Sequence, residues 1–378
     1  MKKGLRITAI IASLVIASGA VAGCGSSAEA SASGESVDGG ETKTEILLAS
    51  HPFNDTHPWQ LGLEYLGDLL YERTDGRYDV EAHPSGSLSG GSNRSIVEMT
   101  GTGALQIMIH SGLSYQGFDE KYAALSLPFM FPDRETGFEV MNNTDIGKEA
   151  MTWLEDNGCI SFAVCENGMR WLTNSKRKVE TPDDMKGLKL RVPEANSLVD
   201  SFKIWGADPT ILNMSEVYTS IQQGTVDGQE NPVAVIDSNK LYEVCPYITD
   251  WTYCWDPAFI MFNKAFIDGL SEDDKEIFVQ TSKDAAQYIN QLIAEADAEN
   301  IQTFKDYGCE VTTLTPEQEA VFREMVEPVY EEYREKLGSD LVDGLIQAVE
   351  EAKEKVHGNS ESASLSNSSR VESSETAA

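Results

Sequence analysis

Residues 166–194 read ENGMRWLTNSKRKVETPDDMKGLKLRVPE, and residues 206–232 read GADPTILNMSEVYTSIQQGTVDGQENP. Within them LKLRV (188–192) is a short apolar strand that carries Arg191 to its exit and stops at Pro193. In open α/β sheets the strand ends line the ligand crevice, and a guanidinium placed there can hold a carboxylate through two parallel hydrogen bonds. Arg170 stands beside Trp171 and near the amides of Asn167 and Asn174, and Asn231 falls in VDGQENP (226–232), read as a loop punctuated by glycine and proline. By residue type alone, a structural ion pair with one of the 62 Asp and Glu residues is the favoured reading of an arginine so placed.

Outward from this segment, strand-like and helix-like stretches alternate over about 44–357. EILLAS (45–50), YDVEAH (78–83), ALQIMIH (104–110), ISFAVC (160–165), YITDWTYCW (247–255), AFIMF (258–262) and CEVTTL (309–314) read as strands. Helical spacing recurs in 58–73, 92–101, 133–157, 195–205 and 214–223. A long helix is expected from Ser271, whose first turn holds Glu272, Asp273 and Asp274 at the positive end of the helix dipole, to Gly308. Thr315-Pro316-Glu317-Gln318 is an N-cap and capping-box signature for a further helix, kinked at Pro328. Continuous apolar strands among helices argue an α/β architecture with a parallel or mixed sheet covered on both faces.

The 378 residues suffice for about two domains. With 62 acidic against 29 basic residues the formal charge is −33, so a phosphate backbone is repelled and nucleic acid is excluded as a partner. Residues 7–23, ITAIIASLVIASGAVAG, follow Lys2, Lys3 and Arg6 and read as a signal peptide, short against the ~20 residues of a membrane span. Val21-Ala22-Gly23-Cys24 resembles the lipobox of bacterial lipoproteins, which makes Cys24 the expected lipidation site, 24–43 a flexible tether and 358–378 a disordered tail. The five other cysteines, Cys159, Cys165, Cys245, Cys254 and Cys309, have no zinc-site spacing and are read as buried free thiols, with one or two disulfides as the alternative.

Signatures of catalysis and of cofactors are missing: there is no GxSxG elbow, no Walker A loop and no HExxH, so neither a cofactor nor a metal is expected. His51 and His57 are read as pocket hydrogen-bonding groups before metal ligands. Arg94 follows a glycine pair and is either a surface arginine or a residue facing the crevice.

The words LKLRVPE, SEVYTSIQQGTVDGQENP and NKLYEV, together with HPSGSLSGGSNRSIVEMTGTGALQIMI and LSLPFMF, resemble the extracytoplasmic solute receptors of tripartite ATP-independent periplasmic (TRAP) transporters, the DctP family, over about 44–345. The resemblance implies a two-lobed, periplasmic-binding-protein-like fold with a cleft between the lobes and the long helix bridging them. Expected boundaries are 1–23 for the signal peptide, 44–167 with 256–297 for the first lobe and 168–255 with 298–357 for the second. It also implies a monomeric receptor, not an enzyme, held outside the cytoplasm by its lipid, which passes a small organic acid to an ion-gradient-driven membrane permease.

By the same resemblance Arg191 takes the ligand carboxylate in two hydrogen bonds, Arg170 faces the same group and Asn231 adds a polar contact. Where many relatives have an acidic residue at the end of the strand, this chain has His110 and Ser111. His110, Ser111 and Asn167 are candidates to meet ligand hydroxyls, with Trp171, Arg94 and His51 as further candidates, and the expected ligand is a hexuronate or related sugar acid. Two alternatives remain open at this point: an exported lyase or hydrolase using His110 or His51 as base, and a ligand-sensing subunit of a signalling kinase.

Overall fold

The computed structural model describes residues 43–372, with side chains to residue 358. The expected signal peptide, Cys24 and the tether as far as residue 42 lie outside the described residues. Ten strands pair into one mixed sheet: β1 (Glu45–Ser50), β2 (Tyr78–His83), β3 (Ile107–Ser111), β4 (Cys159–Asn174), β5 (Lys189–Val192), β6 (Asp208–Ile211), β7 (Gly228–Pro232), β8 (Tyr247–Asp250), β9 (Trp255–Asn263) and β10 (Glu310–Thr313). Their order is β2-β1-β3-β9-β4-β7-β5-β6, with β8 pairing on β4 and β10 on β8.

β4 joins the two parts of this sheet. Its first residues, Cys159 to Met169, run antiparallel to β9, and its last, Arg170 to Asn174, run antiparallel to β7, with β8 also on Leu172 to Asn174. The change of partner follows a register shift between Glu166 and Gly168. Gly168 sits at φ +117°, a conformation that side chains rarely adopt, and a Cβ there would stand 3.2 Å from the Pro232 ring. The segment ENGMR is thus extended strand where the sequence reading ended the strand at Cys165.

Both faces of the sheet are covered, which is why its strands read as continuous apolar runs. Ile107 and Ile109 of β3 pack with Leu47, Ala49, Ile260 and Phe262 into one core cluster, while Met108 turns to the other with Phe259 and Met261. The long helix Glu272–Tyr307 is capped by Ser271, whose hydroxyl accepts from the Asp274 amide at 3.1 Å, and ends at left-handed Gly308. It packs on the helix Pro58–Arg73, on β4, on the helix Val233–Ser238 and on β10, and so touches both parts of the sheet.

Three expectations are corrected. VDGQENP is not a loop: Gly228–Pro232 is a fully buried strand, unreadable by hydropathy because its polar side chains are satisfied by other buried polar groups. Pro328 does not kink one helix but opens a second, so Pro316–Met325 and Glu327–Leu337 are separate, as its missing N–H allows only in a first turn. The last helix, Ser339–Glu372, continues past 357 into the stretch read as disordered tail; Val342, Leu345 and Val349 anchor its start in the core and no proline interrupts it. The five described cysteines are free and buried, and burial pushes the thiol of Cys159 up to about 12.

Candidate functional site

Where β3, β4, β5 and β7 converge, they line a narrow recess of about 20 Å³, room for about one water molecule. Arg191 of β5, Asn167 and Arg170 of β4, Asn231 of β7 and His110 and Ser111 of β3, all singled out in the sequence, line it. Asn93, the first residue of the helix Asn93–Thr102, lines it too. Both parts of the sheet therefore contribute walls. They are also tied together directly: Gln116 Nε2 donates to Ser197 Oγ at 2.8 Å, Asn54 Nδ2 donates to the Ser238 carbonyl, and Arg94 stands 3.9 Å from Glu194.

The two arginines differ in what they have left to offer. Arg170 is buried and committed: its Nε donates to Glu230 Oε2 at 2.5 Å, Nη1 to Asp256 Oδ2 at 2.6 Å, and Nη2 to Glu230 Oε1 at 2.8 Å and Asn231 Oδ1 at 3.2 Å. Burial alone would lower its pKa, but Glu230 and Asp256 outweigh that and raise it. Arg170 lines the recess, but two carboxylates already pair with its charge. Burial raises the Asp256 pKa, and Arg170, Ser111 and Asn167 act against that rise.

Arg191 is equally buried, at 2% exposure, yet it makes one hydrogen bond, from Nε to the Leu212 carbonyl at 2.9 Å. Its Nη1 and Nη2 have no partner among the described residues. Burial lowers its pKa to about 10, with Glu230 only partly opposing, so the group stays charged at neutral pH in a site that stabilises it poorly. A ligand carboxylate 4 Å away would gain about 4 kcal/mol at an effective dielectric near 20.

The remaining lining groups divide into bound and unbound. Ser111 Oγ donates to Asp256 Oδ1 at 2.5 Å and accepts from the Leu113 amide, and the Asn231 amide nitrogen donates to Gln229 Oε1. Both therefore hold the framework. Asn167 Nδ2 donates to Asp256 Oδ2 at 2.9 Å, which leaves its buried Oδ1 without a partner. His110 Nδ1 accepts from the Ser111 amide at 3.0 Å, so its proton sits on Nε2, buried and unpartnered. Burial pushes its pKa down to about 3 and keeps the ring neutral. Asn93 Oδ1 is also buried and unpartnered.

Three expected residues do not line the cavity. Trp171, beside Arg170 in a strand, points to the opposite face and belongs to the second core cluster. Arg94 is exposed, paired with Glu98 at 3.0 Å and set over the Phe118 ring. His51 is buried behind the lining, its Nε2 2.9 Å from Gln60 Oε1. Sequence reasoning missed Asn93, Glu230 and Asp256. The last two had a signal, since an arginine inside an apolar α/β core requires buried carboxylates nearby.

The model of the bacterial extracellular solute-binding proteins, family 7, matches residues 49–336. The C4-dicarboxylate-binding periplasmic protein DctP of Rhodobacter capsulatus is 28% identical over 308 residues, covering 81% of this chain and 91% of that one. The sugar acid binding protein of Advenella mimigardefordensis, solved in complex with galactonate, superposes with a TM-score of 0.79 at 26% identity, over 82% of this chain and 100% of that one. A TRAP periplasmic solute binding protein of Polaromonas, bound to D-erythronate, gives 0.76 at 29% identity, over 80% and 98%.

Proposed function

The chain belongs to the bacterial extracellular solute-binding proteins, family 7, and on that premise we propose that it captures a small sugar acid between its two lobes and delivers it to a TRAP-type membrane permease. The observation that carries this is Arg191, a buried guanidinium on the wall of the recess whose two terminal nitrogens have no partner among the described residues. Such a group is costly in an empty protein and is stabilised by an incoming carboxylate. The galactonate and D-erythronate held by the two structural relatives support a hydroxylated acid.

The lobes turn about β4, where its partners change at Arg170 and Gly168 supplies the unusual φ, and the long helix crosses with it. The acid leaves unaltered. Glu230 and Asp256 are tied to Arg170 and Ser111, and the ring of His110 is neutral with its free nitrogen protonated, so none is poised as a base. The receptor works outside the cytoplasm, tethered by lipid on Cys24, a reading that rests on the sequence pattern of residues 7–24.

A thermal-shift screen of the full chain against sugar acids, dicarboxylates and keto acids tests this. Ligand at 100 times its Kd adds about 2.7 kcal/mol of stability. Stabilisation by an acid together with a smaller radius of gyration in solution scattering is expected. If no organic acid stabilises the chain, the receptor reading falls.

A further inference from the structure

Resting on that reading, we infer that the site selects its acid by hydroxyl donors, read by the amide oxygens of Asn93 and Asn167, and that it therefore takes polyhydroxylated monocarboxylates and rejects dicarboxylates and keto acids. The lining offers a ligand a short and unequal set of partners. On the donor side stand Arg191 Nη1 and Nη2 and His110 Nε2–H; on the acceptor side stand Asn93 Oδ1 and Asn167 Oδ1, both buried and unpartnered. The Asn167 amide cannot turn over to present its nitrogen without losing the bond to Asp256.

The fixed Asn167 oxygen decides what the far side of the ligand must be, with the Asn93 amide beside it as a second hydroxyl partner. A second carboxylate or a keto oxygen brings only lone pairs and would meet the Asn167 oxygen with repulsion, whereas a hydroxyl donates to it and can accept from His110. Nor is there a second free cation among the described residues of the lining for a second carboxylate, because Arg170 is paired with Glu230 and Asp256 before any ligand arrives. A site whose buried acceptors are satisfied only by ligand hydroxyls rejects the deoxy analogue, since the acceptor is then left desolvated and unpaired. Asn93 comes from a helix packed on β3 and β9 and Arg191 from β5, so reading the hydroxyl and gripping the carboxylate together require the closed arrangement.

Calorimetric titration of the full chain with D-erythronate, galactonate, succinate, 2-oxobutanoate and butanoate decides it, repeated on Asn93→Leu. Erythronate or galactonate is expected to bind at least about tenfold more tightly than the other three acids. In Asn93→Leu that ratio is expected to shrink by about tenfold, a change that loss of folding alone would not produce because it lowers all affinities together. Succinate or 2-oxobutanoate binding as tightly as the hydroxylated acids overturns the selection by hydroxyls and leaves the receptor reading standing. An unchanged ratio in Asn93→Leu overturns the assignment to Asn93. Binding of none of the five overturns the inference, while the reading beneath it is decided separately by the wider thermal-shift screen.

Discussion

Replacing Arg191 by methionine removes the guanidinium while keeping most of the side-chain volume, and the structure gives the sign of two separate effects. For binding, the ligand carboxylate is left desolvated without its charge partner, a loss of roughly 2 to 5 kcal/mol, or about 30- to 5,000-fold in Kd. For stability the direction is opposite. The pKa of Arg191 falls in the fold to about 10, from a usual value above 12, so the charged form is disfavoured inside the protein at every pH below that window. A fall of that size corresponds to about 3 kcal/mol at ~1.4 kcal/mol per tenfold. Against this, the Leu212 carbonyl loses its donor, at a cost of about 1 to 3 kcal/mol. The ligand-free variant is therefore expected to be as stable as the wild type or up to about 2 kcal/mol more stable. Urea unfolding of the ligand-free proteins and calorimetry with the acid found in the screen measure the two effects. A variant that binds as tightly as wild type refutes the carboxylate grip. A ligand-free variant destabilised by more than about 2 kcal/mol shows that Arg191 is compensated in the fold and refutes the reasoning from its burial.

Arg170→Met is expected to behave in the opposite way, because it strands Glu230 and Asp256 without their cation; a loss of about 3 to 5 kcal/mol should appear in urea unfolding even without ligand, and an unchanged midpoint would refute the neutralised-pair assignment. Burial lowers the pKa of His51 to about 4, so the unfolded chain, with an ordinary value near 6.5, takes up the proton first, and this stability is present above that value and lost as pH falls toward 4. His51→Gln should accordingly lose about 2 kcal/mol less than wild type between pH 7 and pH 5 in paired unfolding curves, and equal losses would count against a neutral buried ring. Gly168→Ala forces a side chain into φ +117° and a 3.2 Å contact with Pro232, which predicts a loss of about 1 to 3 kcal/mol in the same assay; full stability would mean that β4 does not need this glycine to change partners.

The elements were legible in the chain wherever local chemistry is strong. EILLAS and YDVEAH are strands over the residues read, the helix Pro58–Arg73 matches its apolar spacing, and Ser271 and Gly308 bound the long helix as capping rules require. The same holds for Arg191, whose place at the exit of an apolar strand needed no tertiary information. Local pattern failed where polar residues are buried by partners far along the chain. GQENP reads as a loop because strand signals are apolar, and its polar residues are tolerated in a core only because Arg170, Thr173 and Tyr253 satisfy them. The division of labour between the arginines was likewise invisible, since it depends on Glu230 and Asp256, 60 and 86 residues beyond Arg170. Asn93 carried no signal at all, and only the folded chain sets its oxygen beside those of Asn167 and the ring of His110. Sequence determined which residues could hold a charge or a hydroxyl; tertiary structure decided which of them are already spent on one another, because hydrogen-bonding capacity is finite and is consumed by whichever partner the fold brings within reach.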